Sequence, residues 1–213
     1  MKFKYALFDL DMTLIDSITP LMVSANLLAE KFGLPKVSYE EVWQAETSQP
    51  NVTFESLWAG LWGRCDPGWY DYYRDNLTEA EYEVMSLYPG GREMLEGLAQ
   101  MKVPTGLASN RDYPRKALKG MGIEHFFQAV VGQYDVVKPK PAPDIILKAM
   151  EQMKAPAEEL LYICDSTGDI LAAEAAGVRT LSMTSGGHSA EKLLELGAWR
   201  IGENLIEVLD YFR

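Results

Sequence analysis

The chain has 213 residues, of which 47% are apolar, and it carries a formal net charge of −11 at pH 7. The length and apolar content predict a globular protein with a full core, and the acidic balance argues against nucleic acid or an anionic membrane as a partner. Two cysteines are too few for a disulfide framework. No apolar run approaches the roughly 18 residues of a membrane span, and no signal-peptide pattern is present, so we expect a cytoplasmic protein.

Apolar runs of strand length alternate with amphipathic stretches of helical period in most of the chain. The predicted strands are residues 3–8, 103–108, 127–131, 160–164 and 178–182. The predicted helices that accompany them are residues 90–101, 112–121, 141–154, 167–176, 189–196 and 204–212. Strands that alternate with helices predict a parallel sheet flanked by helices, which is the α/β class.

Residues 16–88 interrupt this alternation, because their patterns are helical only. The predicted helices of this stretch are residues 18–32, 39–45, 53–62, 69–75 and 79–87. Thr78 and Glu81 have the spacing of a helix capping box. We therefore predict an α/β core formed by residues 1–15 and 89–213, with an all-helical insert above the carboxyl end of its first strand. Such an insert can close over a substrate and exclude water.

Two carboxylates, Asp9 and Asp11, follow the first predicted strand. Residues i and i+2 of an extended backbone point the same way, and open α/β sheets bind ligands at the carboxyl ends of their strands. Two acids so close repel each other unless a cation or a shared proton compensates them. The alternative is a polar turn, where Asp is common.

Two polar motifs lie further along the chain. Ser109 and Asn110 end the next core strand, where a hydroxyl and an amide suit a phosphate oxygen or simply open a helix. Lys138 and Lys140 lie in a proline-rich segment that limits where their side chains can reach. A fixed ammonium can hold a carboxylate and a phosphate together, although a solvated turn explains the segment equally well.

A further acidic pair, Asp165 and Asp169, follows the strand at residues 160–164. Asp169 falls in the first turn of the next predicted helix, where the helix dipole favours an anion. A carboxylate that directly follows an apolar strand needs a partner. Carboxylates gathered from several strand ends suit a hard cation such as Mg²⁺, which also binds water and substrate phosphate.

These motifs resemble, in order and spacing, the four motifs of the haloacid dehalogenase-like hydrolases. The matching segments are Asp9-Leu10-Asp11-Met12-Thr13, Ser109-Asn110, Lys140-Pro141-Ala142-Pro143-Asp144 and Asp165-Ser166-Thr167-Gly168-Asp169. The resemblance covers almost the whole chain, is closest to the phosphoglycolate phosphatase-like branch, and implies a Rossmann-like core with a helical cap. Met12 departs from the family, which usually has glycine there, and we expect an ordinary φ at this methionine.

The resemblance also implies a role for each motif residue. Asp9 would be the nucleophile that forms an aspartyl-phosphate, and Asp11 the general acid and base. Mg²⁺ would be held by Asp9, the backbone carbonyl of Asp11, Asp165 and, through water, Asp169. Substrate would be bound by Ser109, the Asn110 backbone and Lys140. Thr13 would support this group by steadying the first loop. We prefer Lys140 to Lys138 because its spacing from the other motifs fits the family.

The predicted function is therefore Mg²⁺-dependent hydrolysis of a small phosphate monoester, such as phosphoglycolate, so that the partner is a small phosphorylated metabolite. Asp11 argues against carbon–halogen hydrolysis, and the lack of lysine between Lys36 and Lys102 argues against a phosphonate hydrolase. The alternatives are a sugar phosphomutase of the same family and a non-catalytic binding protein. Monomer and homodimer both stay open. The aromatic residues of the insert would form its own core, a dimer contact or a substrate surface, and we favour the core.

Overall fold

The computed structural model describes residues 2–47 and 52–213. The chain divides into two compact units. The core unit comprises Met1–Ile15 and Leu87–Arg213, and the helical unit comprises Asp16–Ser86. That the helical unit acts as a cap stays a prediction.

The strands and helices are numbered in chain order. The strands are β1 (Tyr5–Phe8), β2 (Ile15–Asp16), β3 (Ser86–Leu87), β4 (Thr105–Ala108), β5 (Phe127–Val131), β6 (Leu160–Cys164), β7 (Arg179–Met183) and β8 (Arg200–Gly202). The α-helices are α1 (Ile18–Phe32), α2 (Tyr39–Thr47), α3 (Phe54–Trp62), α4 (Trp69–Asn76), α5 (Thr78–Val84), α6 (Gly91–Gln100), α7 (Pro114–Gly120), α8 (Asp144–Met153), α9 (Thr167–Ala175) and α10 (Ala190–Glu195). Short 3₁₀ helices lie at Glu124–Phe126, Gln133–Asp135, Ala157–Glu159, Thr184–Gly186 and Leu205–Tyr211.

The core unit contains a six-stranded parallel sheet in the order β5-β4-β1-β6-β7-β8. The central strand β1 pairs with β4 on one side and β6 on the other, and Phe8 is in register with both Leu107 and Ile163. The apolar side chains of β1 and β6 are buried because a parallel sheet is covered on both faces. This register brings the carboxyl ends of β1, β4 and β6 to the same edge of the sheet.

This architecture confirms the predicted α/β class. Strands β5 and β6 have the predicted bounds, whereas β8 was missed because three residues carry too little pattern. The predicted helix start at residue 141 is wrong, since α8 begins at Asp144. The predicted start at residue 112 is also wrong, since α7 begins at Pro114. In both cases a proline disfavours helical backbone in the residue before it. The last predicted helix is a 3₁₀ helix.

The helical unit contains α1 to α5. Helix α1 has the predicted bounds and ends at Gly33, whose φ of 69° is left-handed, as is common after a helix. Aromatic residues of α3 pack on one another. The ring centroids of Trp58 and Trp62 are 5.1 Å apart in a stacked pair, and those of Phe54 and Trp58 are 5.0 Å apart. The short strands β2 and β3 pair where the chain passes between the units.

The predicted capping box at Thr78 and Glu81 is wrong. Helix α5 begins at Thr78 with no side-chain cap, and Glu81 is buried. The Glu81 carboxylate accepts hydrogen bonds from the hydroxyls of Ser24, at 2.7 Å, and Tyr73, at 2.9 Å. A buried carboxylate needs donors, and the packing of the helices supplies them. Among the described residues, no helix has the length and apolar content that crossing a membrane requires.

Candidate active site

Three carboxylates meet at the carboxyl edge of the sheet. Asp9 follows β1, Asp165 follows β6, and Asp169 lies in the first turn of α9. One oxygen from each lies within 4.8 Å of the others, and all three residues are buried. The Asp9 backbone N–H donates to the Ile163 carbonyl, at 2.9 Å, which fixes this aspartate beside β6. The parallel register thus brings Asp9 beside two acids that lie more than 150 positions further along the chain.

Lys140 is the cation of this cluster. Its Nζ donates to Asp9 Oδ1 and to Asp169 Oδ1, each at 2.6 Å, and the residue is buried. Lys138 is exposed. The Asn110 side chain holds the Lys140 backbone, because its Nδ2 donates to the Lys140 carbonyl and its Oδ1 accepts from the Lys140 N–H, both at 3.0 Å. The side chain of Asn110 therefore positions the lysine.

The electrostatics of the cluster follow from one ammonium among three carboxylates. Burial raises the pKa of Asp9 to about 7 even though Lys140 opposes the shift. Burial and the charges of Asp9 and Asp169 raise the pKa of Asp165 well above its ordinary value. Burial alone would also raise the pKa of Asp169, but the charge of Lys140 and the hydrogen bonds from Lys140, Ser166 and Tyr162 together outweigh burial and hold that pKa below its ordinary value. Two carboxylates therefore lack a full counter-charge.

Asp169 is held at both of its oxygens. Oδ2 accepts from the backbone N–H and the hydroxyl of Ser166, which caps α9, and the Ser166 hydroxyl accepts from the Asp169 N–H in return. Oδ1 accepts from Lys140 and from the hydroxyl of Tyr162, at 2.7 Å. A carboxylate with this many donors keeps its charge in a buried place.

Thr13 and Ser109 follow two neighbouring strands, β1 and β4, at the carboxyl edge of the sheet. The Thr13 hydroxyl donates to Asp165 Oδ1, so it steadies that carboxylate as well as its own loop. Ser109 is buried at the end of β4, and its Oγ accepts from the backbone N–H of Arg111 at 3.1 Å. The Thr13 hydroxyl is thus oriented by a carboxylate, and the Ser109 hydroxyl by the backbone.

Asp11 lies apart from the three-carboxylate cluster. Strand β1 ends at Phe8, so Asp9 and Asp11 do not belong to an extended strand. The expectation that their side chains point the same way required such a strand. The Asp11 carboxylate faces the guanidinium of Arg111 instead, with Nη2 at 2.6 Å from Oδ1 and Nε at 3.1 Å from Oδ2. This ion pair is partly exposed, whereas Lys140 and its partners are buried.

Comparison with known proteins identifies the family to which this arrangement belongs. A family model described as haloacid dehalogenase-like hydrolase matches residues 6–183. The chain belongs to the haloacid dehalogenase-like hydrolase family. The motif resemblance that predicted this family is confirmed, and the chain is an enzyme of the phosphoric monoester hydrolase class.

Individual relatives agree with this assignment. A protein of Caldanaerobacter subterraneus named "Putative pyrophosphatase PpaX" is 32% identical over 188 residues, which are 86% of this chain and 82% of that protein. A phosphoglycolate phosphatase of Vibrio parahaemolyticus is 29% identical, with 97% of this chain and 95% of that protein covered. The crystal structure of a haloacid dehalogenase-superfamily hydrolase of Geobacter sulfurreducens has a TM-score of 0.81 at 24% identity, and covers 99% of this chain and 97% of that one. The last likeness concerns the fold.

The acidic cluster of this hydrolase fits a hard cation. Asp9, Asp165 and Asp169 offer only oxygen ligands, and the pKa values of Asp9 and Asp165 are raised first by burial and then by the charges of the neighbouring acids. A cation bound here would favour the ionised carboxylates and so lower the pKa values that are raised without it. The structure therefore supports a metal site in general terms, and its preferred ion belongs to the proposal below.

Met12 adopts a backbone conformation that methionine rarely takes. The expectation of an ordinary φ is wrong, because φ is +60° and the residue is left-handed. The surroundings hold it there: the Ser185 hydroxyl donates to the Met12 carbonyl, and the Tyr88 hydroxyl lies 3.7 Å from the Met12 Sδ. The loop therefore keeps the conformation that suits the glycine usual in this family, at a cost of about 1–2 kcal/mol.

Besides Arg111, the sequence analysis missed two residues of the site, Tyr162 and Gly186. Tyr162 is fully buried in β6, and its hydroxyl accepts from Lys140 Nζ at 3.2 Å and donates to Asp169. A single tyrosine in an apolar strand was the available signal, because a buried hydroxyl needs a partner. Gly186 packs against Asp165, and a Cβ built on it would lie 2.0 Å from Asp165 Oδ2. The sequence offers only a Gly-Gly pair as a hint of this close approach.

Proposed function

We propose that the protein is a Mg²⁺-dependent phosphatase that hydrolyses a small phosphate monoester through an aspartyl-phosphate on Asp9. The observation that carries this proposal is the position of the Asp9 carboxylate, which ends a buried strand 2.6 Å from the Lys140 ammonium and beside two further acids. A carboxylate held in this way is a positioned nucleophile for phosphorus.

The residues of the site would share the reaction as follows. Asp9 attacks phosphorus while Asp11 gives a proton to the leaving oxygen, which leaves an acyl phosphate on Asp9 and an ionised Asp11. Asp11 then takes a proton from the water that attacks this phosphorus, and inorganic phosphate and free Asp9 are released. Lys140 and Ser109 hold the phosphoryl oxygens as charge redistributes.

Asp9, Asp165, the Asp11 backbone carbonyl and, through water, Asp169 would hold the Mg²⁺. When it is bound, the ion screens the negative charge of the carboxylates and the phosphoryl group so that an anion can approach an anion. Thr13 keeps Asp165 oriented toward this position through the hydroxyl contact. Outer contacts of this kind tune metal sites strongly.

The relatives suggest the substrate. The phosphoglycolate phosphatases among them make phosphoglycolate the first candidate, and the relative from Caldanaerobacter makes pyrophosphate the second. The ratio of kcat/KM for the two compounds distinguishes these candidates. We infer a cytoplasmic enzyme acting on a small metabolite, and whether it is a monomer or a homodimer is a question for sedimentation analysis.

The test of the proposal is phosphate release from phosphoglycolate and from p-nitrophenyl phosphate, with Mg²⁺ and with a chelator. We expect turnover only with Mg²⁺, and we expect Asp9→Asn to lower kcat by about 10³-fold or more. Borohydride reduction should trap the acyl phosphate at Asp9 in the wild type for detection by mass spectrometry. The matched control is Asp210→Asn, which alters an exposed carboxylate of the core unit. Undiminished turnover in Asp9→Asn would refute the proposal.

A further inference from the structure

The ion pair of Arg111 and Asp11 is the accessible part of the candidate active site. The side chains of Arg111 and Asp11 are 17% and 31% exposed, whereas those of Lys140 and Asp9 are 7% and 8% exposed. A ligand that enters the site can therefore reach this pair more readily than the buried Lys140 pairs.

Both oxygens of Asp11 face the guanidinium. Nε of Arg111 lies 3.2 Å from Oδ1 and 3.1 Å from Oδ2, and Nη2 lies 2.6 Å from Oδ1. In the proposed function Asp11 delivers a proton to the leaving oxygen. In this structure the Asp11 carboxylate is turned toward Arg111, so we expect the pair to open when the leaving oxygen takes its place beside Asp11.

The backbone fixes where Arg111 stands. Its N–H donates to Ser109 Oγ, at 3.1 Å, and its carbonyl accepts from the Gln133 N–H, at 3.5 Å. One end of the residue is thus tied to the hydroxyl proposed to hold the phosphoryl group. The other end reaches the acid proposed to serve the leaving group, which places the guanidinium beside the leaving part of a substrate.

We propose that Arg111 recognises a second anionic group on the leaving part of the substrate, and that this group replaces Asp11 on the guanidinium. The proposal rests on the proposed function, which gives Asp11 its role. It names the substrate class as phosphate esters with a carboxylate or another phosphate close to the scissile oxygen. Arg111 is then a specificity-determining residue, and binding of the correct substrate is what releases the acid.

The exchange is physically reasonable because it conserves the interactions of the guanidinium. A planar guanidinium binds a carboxylate or a phosphate oxygen pair equally well. Arg111 therefore loses one anion and gains another without being left unpaired. A substrate whose leaving part is neutral offers no such exchange, so it must separate the ion pair without compensation.

The test compares two esters that differ mainly in the second anion. Phosphoglycolate carries a carboxylate where ethylene glycol monophosphate carries a hydroxymethyl group. We expect Arg111→Gln to lower kcat/KM for phosphoglycolate by about 10- to 100-fold, the range for losing a hydrogen-bonded charge. The variant should keep or raise kcat/KM for ethylene glycol monophosphate, because Asp11 no longer has to leave the guanidinium. Arg111→Lys should restore part of the preference.

The matched control is Arg115→Gln, which removes an arginine that pairs with Glu124 on the exposed side of α7. It should leave the ratio of the two substrates unchanged. If Arg111→Gln lowers both substrates equally, Arg111 only positions Asp11 and the inference is wrong. If it changes neither substrate, the inference is wrong as well.

A binding measurement separates this inference from the proposed function. Calorimetric titration of phosphoglycolate into Asp9→Asn, and into the same variant with Arg111→Gln added, needs no turnover. We expect the second substitution to weaken binding by about 10-fold or more. A wild type that releases phosphate from neither ester, from p-nitrophenyl phosphate nor from pyrophosphate would overturn the proposed function, whereas equal affinities of the two variants would overturn the role of Arg111.

Discussion

Among the described residues, the helical unit buries one carboxylate and the core unit buries a cluster of three, and the two cases are satisfied in different ways. In the helical unit, Glu81 accepts from the neutral hydroxyls of Ser24 and Tyr73. In the core unit, Asp9, Asp165 and Asp169 lie together around the one ammonium of Lys140, and two of the three have raised pKa values.

This difference shows which kind of burial marks a functional site. A buried acid with enough donors is an ordinary feature of a folded protein. Several buried acids with too little positive charge are costly, and a protein keeps them where a ligand repays the cost. The excess of charge, rather than the burial of a polar group, therefore separates the candidate active site from the packing of the helices.

The largest expected effect comes from removing the cation. Lys140→Met leaves Asp9 and Asp169 without their counter-charge, so we expect a loss of about 3–5 kcal/mol in the free energy of unfolding. Phosphate release should fall by about 10²- to 10³-fold. Urea unfolding and steady-state kinetics measure the two effects. Lys138→Met, at an exposed position, should resemble the wild type, and equal losses in both variants would contradict the comparison.

The next effect is a pH dependence of stability without metal. The pKa of Asp9 is about 7 in the folded chain, above its usual unfolded value of about 3.9. Between these values the folded state binds more protons, so Asp9 makes stability fall as pH rises from about 4 to about 7. The loss should reach a few kcal/mol, since one pKa unit corresponds to about 1.4 kcal/mol.

Urea unfolding at pH 5 and pH 8 in a chelator measures this dependence. Asp9→Asn should remove most of it, and Asp210→Asn should retain it. Mg²⁺ should restore stability at pH 8 in the wild type, because the ion favours ionised carboxylates. If the free energy of unfolding changed with pH equally in the wild type and in Asp9→Asn, Asp9 would not have the raised pKa.

A third experiment tests the close contact at Gly186. A Cβ at this position would collide with the carboxylate of Asp165, so Gly186→Ala must displace that group. We expect Mg²⁺ affinity to fall by about 10- to 100-fold, as when a partner of a metal ligand is lost. Calorimetric titration of Mg²⁺ measures it. The control is Gly60→Ala in α3, whose new Cβ would meet Ala45 Cβ at an ordinary distance of 3.6 Å, and it should leave the Mg²⁺ affinity unchanged. Wild-type Mg²⁺ affinity in Gly186→Ala would show that the close approach to Asp165 does not matter for metal binding.

Two tyrosines, each of which donates to a buried carboxylate, offer a matched pair of smaller effects. Tyr162 donates to Asp169 in the core unit, and Tyr73 donates to Glu81 in the helical unit. Each Tyr→Phe change should cost about 1 kcal/mol of stability. Only Tyr162→Phe should lower kcat, by about 10-fold, because its hydroxyl positions Lys140 and Asp169. Equal turnover per folded molecule in the two variants would show that Tyr162 has a packing role alone.

The smallest effect concerns the strained loop. Met12→Gly should be more stable than Met12→Ala by about 1 kcal/mol, because both lose the side chain but only alanine keeps the penalty of positive φ. Thermal unfolding measures the difference. At Lys102, whose φ is 58°, the glycine variant should likewise be more stable than the alanine variant. Ala99, an exposed residue within α6, should show the opposite order when changed to glycine. Alanine as the more stable variant at position 12 would rule out strain.

Much of the core was predictable because its signals are local. Apolar runs such as residues 160–164 bounded their strands correctly, and polar groups at strand ends marked the motifs. The carboxyl ends of neighbouring parallel strands share an edge, so Asp9 and Asp165 were expected to meet once the strands were identified. Turn chemistry limited the rest, as in the proline-rich segment that was predicted to be helical.

The amino-acid sequence by itself determined the α/β class, since periodicity is a property of neighbouring positions, and the order of its motifs indicated the family by resemblance. Only the tertiary structure decided which hydrogen-bonding partner each group obtained: the Tyr162 hydroxyl accepts from Lys140, Arg111 donates to Asp11, and two hydroxyls donate to Glu81. It also decided that Met12 takes a left-handed backbone. These outcomes depend on residues that are remote in sequence, because packing and the hydrogen-bonding needs of buried atoms are set in three dimensions.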